Sequence, residues 1–117
     1  MANVGTHTAN SAGLAIVAIA GVDDNDIIME LDDAEPYDEF FFMTVAGLVD
    51  VDVSLDGINF AVAVAFTDRQ STAPATKVII TAAGLLYSIK GQFKAIRVRQ
   101  NTAVDATGGS MTCRRRP

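Results

Sequence analysis

The residues able to do chemistry are few and badly placed for catalysis. His7 is the single histidine and Cys113 the single cysteine. A nucleophilic triad needs its histidine held rigidly beside a Ser or Cys, and His7 stands in a run of small polar residues. One His and one Cys cannot complete a tetrahedral zinc site. Gly108-Gly109-Ser110 lacks the lysine and the helix of a phosphate loop. Carboxylates are plentiful. Glycoside hydrolysis asks for one of them in an apolar pocket near aromatic rings. Glu35 or Glu39, beside Tyr37 and Phe40, comes nearest. Asp23, Asn25 and Asp26, or Asp32, Asp33 and Asp38, offer hard oxygens for calcium, but neither set has EF-hand spacing and each also reads as a plain acidic turn. Sugar stacking would fall to Tyr37 and Tyr87, because the chain has no Trp. The expectation is a protein that is not an enzyme and carries no cofactor.

Charge is the most unusual feature. The net charge is -5, and every basic residue lies at or after Arg69, whereas Asp105 is the only acid beyond it. If the fold separates these regions, the molecule has an acidic and a basic face that suit copies of itself or a larger assembly. If acidic and basic strands lie side by side, the charges pair across the sheet. Overall acidity argues against nucleic acid as the partner. The Arg114-Arg115-Arg116 run could hold a phosphate or an acidic neighbour, for which the Asp23, Asp24 and Asp26 turn of another copy is suited, or simply be solvated. With Thr6 and His7 in the N-terminal stretch, these are the expected protein-interaction residues.

The elements that must position these groups are strands. Val49, Val51, Val53 and Leu55 alternate with Asp50, Asp52 and Ser54, which predicts one buried and one wet face. Asp56-Gly57 predicts a tight hairpin. The return strand, Ile58 to Phe66, places Ile58, Phe60, Val62, Val64 and Phe66 on one face and Asn59, Ala61, Ala63 and Ala65 on the other. Strands are also expected at Ile27 to Leu31, Phe40 to Val45, Lys77 to Thr81, Gly84 to Ile89, Phe93 to Gln100 and Ser110 to Arg114. Leu14 to Val22 reads as a strand buried on both faces, with a short buried helix as the alternative. The alternation slips near Ala95-Ile96, where a bulge would fit. Lys94, Arg97 and Arg99 point largely outward in this reading.

At 117 residues the chain makes one domain. We expect an N-terminal arm over 1–13, a sandwich over 14–113 and a basic tail over 114–117. The arm either lies on a neighbour or pairs as an edge strand in its own domain. No apolar run approaches the ~18 residues of a membrane span, and Leu14 to Ala20 lacks the preceding basic residue of an export signal. Cys113 reads as a small buried hydrophobe, compatible with a reducing compartment. About eight short strands with regular turn signals give an all-β antiparallel sandwich of jelly-roll type.

Two segments carry a resemblance. LVDVDVSLDGINF resembles the V-x-V-S-x-D-G-x-x-F/W hairpin of discoidin-like and other jelly-roll binding domains. LLYSIKGQFKAIRVRQNTAVDATGGSMT resembles an ending found in β-sandwich proteins of tailed-phage particles, through Gly91, Arg97 and Gly108-Gly109. Together they cover roughly residues 48 to 113. The resemblance implies a virion accessory protein, assembled in the host cytoplasm. Capsid decoration, or cement, is the first expectation, with the major capsid protein and copies of itself as partners. The alternative is a carbohydrate- or receptor-binding module of a tail or head fibre.

Overall fold

The computed structural model describes residues 4–10, 13–19, 26–43, 49–62, 64–69, 77–78, 86–100 and 109–115. Among the described residues eleven strands form: β1 (Thr6–Asn10), β2 (Gly13–Val17), β3 (Ile27–Leu31), β4 (Tyr37–Met43), β5 (Val49–Ser54), β6 (Phe60–Ala61), β7 (Phe66–Asp68), β8 (Lys77–Val78), β9 (Tyr87–Lys90), β10 (Ala95–Gln100) and β11 (Ser110–Arg115). They build two antiparallel sheets. The large sheet has the order β1-β2-β11-β4-β9-β7-β8, and the small sheet β3-β10-β5-β6. The antiparallel β-sandwich expected from the sequence is therefore the fold. Its strand count exceeds the expected eight or so for two reasons. Thr6–Asn10 pairs with β2, and the Ile58 to Phe66 stretch is split between the sheets.

The core lies between the sheets. Leu14, Ile16, Phe40, Phe42, Met111 and Cys113 face inward from the large sheet, against Val49, Val51, Val53, Ile96 and Val98 from the small one. Phe42, Phe66 and Tyr87 form an aromatic trio with centroids 4.9 to 6.1 Å apart, geometry that adds to simple area burial. Cys113 is fully buried, and desolvation pushes its thiol up to about 12. It behaves as the small hydrophobe that its position suggests.

Four local expectations are corrected. β2 buries Leu14 and Ile16 but exposes Val17, so only one of its faces is covered. β5 is buried along both faces, Asp50, Asp52 and Ser54 included. The hairpin at Asp56-Gly57 has a five-residue loop between Ser54 and Phe60, not a two-residue turn. The register shift in β10 lies between Val98 and Arg99, where β3 inserts Ile28, and not at Ala95-Ile96.

The N-terminal segment joins the two sheets. Val4 exchanges two 3.1 Å backbone hydrogen bonds with Glu30 of β3, while Thr6, two residues on, already pairs with Val17 of β2. Gly5 makes the corner at φ +92°, and a Cβ there would lie 2.6 Å from the Val17 carbonyl oxygen. Only glycine turns the chain from one sheet to the other in that space. His7 follows, with Nε2 3.1 Å from the Val4 carbonyl oxygen.

Candidate functional site

The β5–β6 hairpin is the most conspicuous surface feature. Leu55 and Ile58 are 80% and 81% exposed, and Val62 is 60% exposed. The alternation had assigned Leu55, Ile58 and Val62 to a buried face. They escape it because Asp56 to Asn59 forms a loop, and because the chain leaves the small sheet after Ala61 to enter the large one at Phe66. Period two holds only while a strand stays in one sheet.

The loop is firmly built. Asp56 Oδ1 accepts from the backbone N–H groups of Ile58 (2.8 Å) and Asn59 (2.7 Å) and from the Ser54 hydroxyl (3.0 Å). Its Oδ2 accepts from the Asn59 amide at 2.8 Å. The Ser54 hydroxyl in turn accepts from the Gly57 N–H at 2.8 Å. These donors, the Asn59 backbone foremost, hold the Asp56 carboxyl well below the usual carboxylate range. Gly57, at φ +80°, packs beside the Lys94 side chain. The result is a stiff apolar knuckle. A groove of about 520 Å³ runs along its flank, lined by Val53, Leu55, Phe60, Ala61 and Phe93, with Asp56 and Asn59 completing the wall.

Beneath the knuckle lies a row of charges. Asp52, fully buried, accepts from Arg97 Nε at 2.8 Å and from Arg99 Nε and Nη2 at 2.5 and 3.0 Å. Arg99 Nη2 also lies 3.5 Å from Asp50. The hydrogen bond to Asp52 raises the affinity of Arg99 for its proton further. Phe60 roofs the row, its ring centroid 4.0 Å from the Arg97 guanidinium carbon. Glu30, opposite Arg97 on β3, is buried, and desolvation raises its carboxyl above the ordinary value. Lys94 and Glu35 pair at 2.8 Å on the surface. Acidic strands of the first part of the sequence thus lie against basic strands of the second. Here the charge polarity in sequence is used for pairing across the small sheet.

With this geometry in place, the fold can be compared with known structures. A prophage-derived protein shares it. The crystal structure of SPBc2 prophage-derived protein YomS superposes with a TM-score of 0.62 over 97% of this chain and 97% of that one, at 7% sequence identity. At that identity the match concerns the fold. No protein-family model and no curated protein sequence matches the chain.

The expected interaction residues are dispersed. Thr6 is exposed on the edge strand β1, in the row of Val17 and Ser110. Arg114 and Arg115 lie toward the opposite end of the large sheet, in the rows of Gly13, Glu39 and Tyr37. Asp26 precedes β3, and its carbonyl accepts from the Gln100 N–H at 2.8 Å. Asp23, Asp24 and Arg116 lie outside the described residues, as does Asn25 of the calcium set. Among the described residues no three His, Cys, Asp or Glu side chains converge on a common point. Glu35 is an exposed partner of Lys94, and Tyr37 and Phe40 belong to the core, so these residues do not form the apolar carboxylate pocket that glycoside hydrolysis requires. Tyr37 and Tyr87 are both buried and have no ring face free for a sugar. The sequence did signal the knuckle, through Leu55 and Ile58 flanking Asp56-Gly57, but alternation assigned those side chains to the interior.

Proposed function

We propose that this protein is a structural component of a tailed-phage particle, a capsid decoration protein that bridges neighbouring shell subunits. The carrying observation is the knuckle. Two large aliphatic side chains, Leu55 and Ile58, are held in water by a loop in which Asp56 and Ser54 bind the turn's own donors, which is the form of an anchor for a partner surface and not of a solvated turn. A whole-chain fold shared with a prophage-derived protein supports the phage setting.

In this reading the major capsid protein is the partner, and the knuckle enters a pocket at a subunit joint. Thr6 on the open edge of β1 and Arg115 near the end of β11 add weaker contacts on other sides of the sandwich. Many copies, each with modest contacts, then hold the shell together through multivalency, without catalysis. The test is cosedimentation with empty shells assembled from the major capsid protein of the same phage. Wild type is expected to pellet with shells at a copy number comparable to the shell subunit. The double variant Leu55→Asp, Ile58→Asp is expected to stay in the supernatant while melting at the wild-type temperature, since neither side chain is packed. Equal pelleting of both proteins removes the knuckle from the mechanism, and a wild-type protein that never binds shells removes the decoration role.

A further inference from the structure

The outer face of the large sheet carries a second cluster of aromatic and cationic groups, away from the knuckle. Phe41 stands near its middle, with Thr112 of β11 on one side and Ser88 of β9 on the other. Its ring is partly exposed. Arg114 of β11 places its guanidinium carbon 5.9 Å from the ring centroid, and Arg69, just past β7 on the other side, 6.0 Å. Both arginines are exposed, and among the described residues neither forms an ion pair. Glu39 and Lys90 are cross-strand neighbours on the same face.

Two hollows of about 370 Å³ each adjoin this group. One is polar, with Glu39, Thr67, Arg69, Ser88 and Lys90 among its walls. The other is apolar, bounded by Phe41, Leu86, Thr112 and Arg114. Each is within the ~300–1,000 Å³ typical of small-ligand sites.

The chemistry selects among anions. A ring flanked by two guanidiniums suits a ligand with an apolar face and a negative group next to it. A polyacidic peptide or a nucleic acid would bring repeated negative charge against Glu39. A sugar would instead donate hydroxyl protons to that carboxylate. We propose that this face binds a carboxylated sugar, a uronic- or sialic-acid unit of an acidic glycan. The pyranose C–H face lies on Phe41, the carboxylate pairs with Arg114 or Arg69, and the hydroxyls meet Glu39 and Ser88. The site does not depend on the knuckle that carries the decoration reading, which belongs to the small sheet.

The experiment is an NMR titration of the isotope-labelled full chain. The probes are oligogalacturonate, oligoglucuronate and sialyllactose, with neutral oligogalactose and polyglutamate as controls. At least one acidic sugar is expected to shift the amides around Phe41, Ser88, Thr112 and Arg114, with no response to oligogalactose. Phe41→Ala and Arg114→Gln are each expected to weaken binding about tenfold or more, and Phe41→Tyr to keep it. Should Phe41→Ala disturb the fold, Arg114→Gln and Phe41→Tyr still decide. The proposal is overturned if no acidic sugar shifts these amides. It is equally overturned if polyglutamate binds as well and Arg114→Gln affects both ligands alike, because the face is then a generic patch of positive charge.

Discussion

The two sheets each place an aromatic ring beside arginine on their outer faces, with different consequences. On the small sheet, Phe60 lies 4.0 Å from Arg97, and Arg97 and Arg99 are bonded to a carboxylate with no exposure at all. On the large sheet, Phe41 lies about 6 Å from Arg69 and Arg114, and neither has a carboxylate partner among the described residues. The same residue types therefore serve as internal structure in one place and as an open surface in the other. What separates them is whether the cation has an anion from its own chain. A satisfied guanidinium has little left to offer a ligand, whereas an exposed, unsatisfied one keeps its donors free.

Substitutions can break this contrast. The largest effect is expected from Asp52→Ala, which leaves Arg97 and Arg99 without their shared acceptor. A loss of about 3 kcal/mol in urea unfolding is expected, because breaking a buried pair strands the remaining charge. Arg114→Gln on the large sheet should stay within about 0.5 kcal/mol of wild type, as an exposed change does. Equal losses would erase the distinction. Next comes the ring. Phe60→Leu should cost about 1 kcal/mol by removing the roof over Arg97. Phe41→Leu, beside solvated cations, should cost less on the same denaturation curve.

The smallest effect is a pH dependence that sharpens the picture of the small sheet. Burial, with Asp32 as a secondary cause, raises the Glu30 carboxyl above its ordinary 4.5, and Arg97 only partly offsets this. The folded state thus binds this proton more tightly than the unfolded one. The stability it contributes is fully present below the ordinary value and is lost as pH rises through the raised one. Melting temperatures measured from about pH 4 to about pH 7 should fall less steeply for Glu30→Gln than for wild type. Parallel profiles would mean that Glu30 is as well solvated folded as unfolded.

Much of the sandwich is legible in the sequence, because alternation states which side chains share a face. It places Val49, Val51 and Val53 inward and Arg97 and Arg99 outward, as found. Alternation does not state what covers the outer face. Asp50 and Asp52 read as wet, yet two arginines supplied from over forty residues away bury them. Nor does it reveal where a chain changes sheets, which is why it assigns Ile58 and Val62 to the interior. The Asp56-Gly57 turn was visible, but its length depended on Ser54, Ile58 and Asn59 all bonding to Asp56. The expected interaction residues rest on charge runs and polar termini. The surface features that stand out instead are aliphatic side chains at a turn, which alternation assigns to the interior, and a phenylalanine on an outward-facing strand position.

The place of β11 has a consequence for the order of events during synthesis. It lies between β2 and β4, and it is Met111 and Cys113 that bring Ile16 and Leu14 into line with Phe42 and Phe40. Until residues 110–115 have left the ribosome, β2 and β4 each present an unpaired edge and an incomplete apolar row. Until then a nascent chain of this protein carries sticky edges. Such edges invite pairing with neighbouring nascent chains on a polysome. A chaperone that shields those edges until the strand arrives would keep such chains apart.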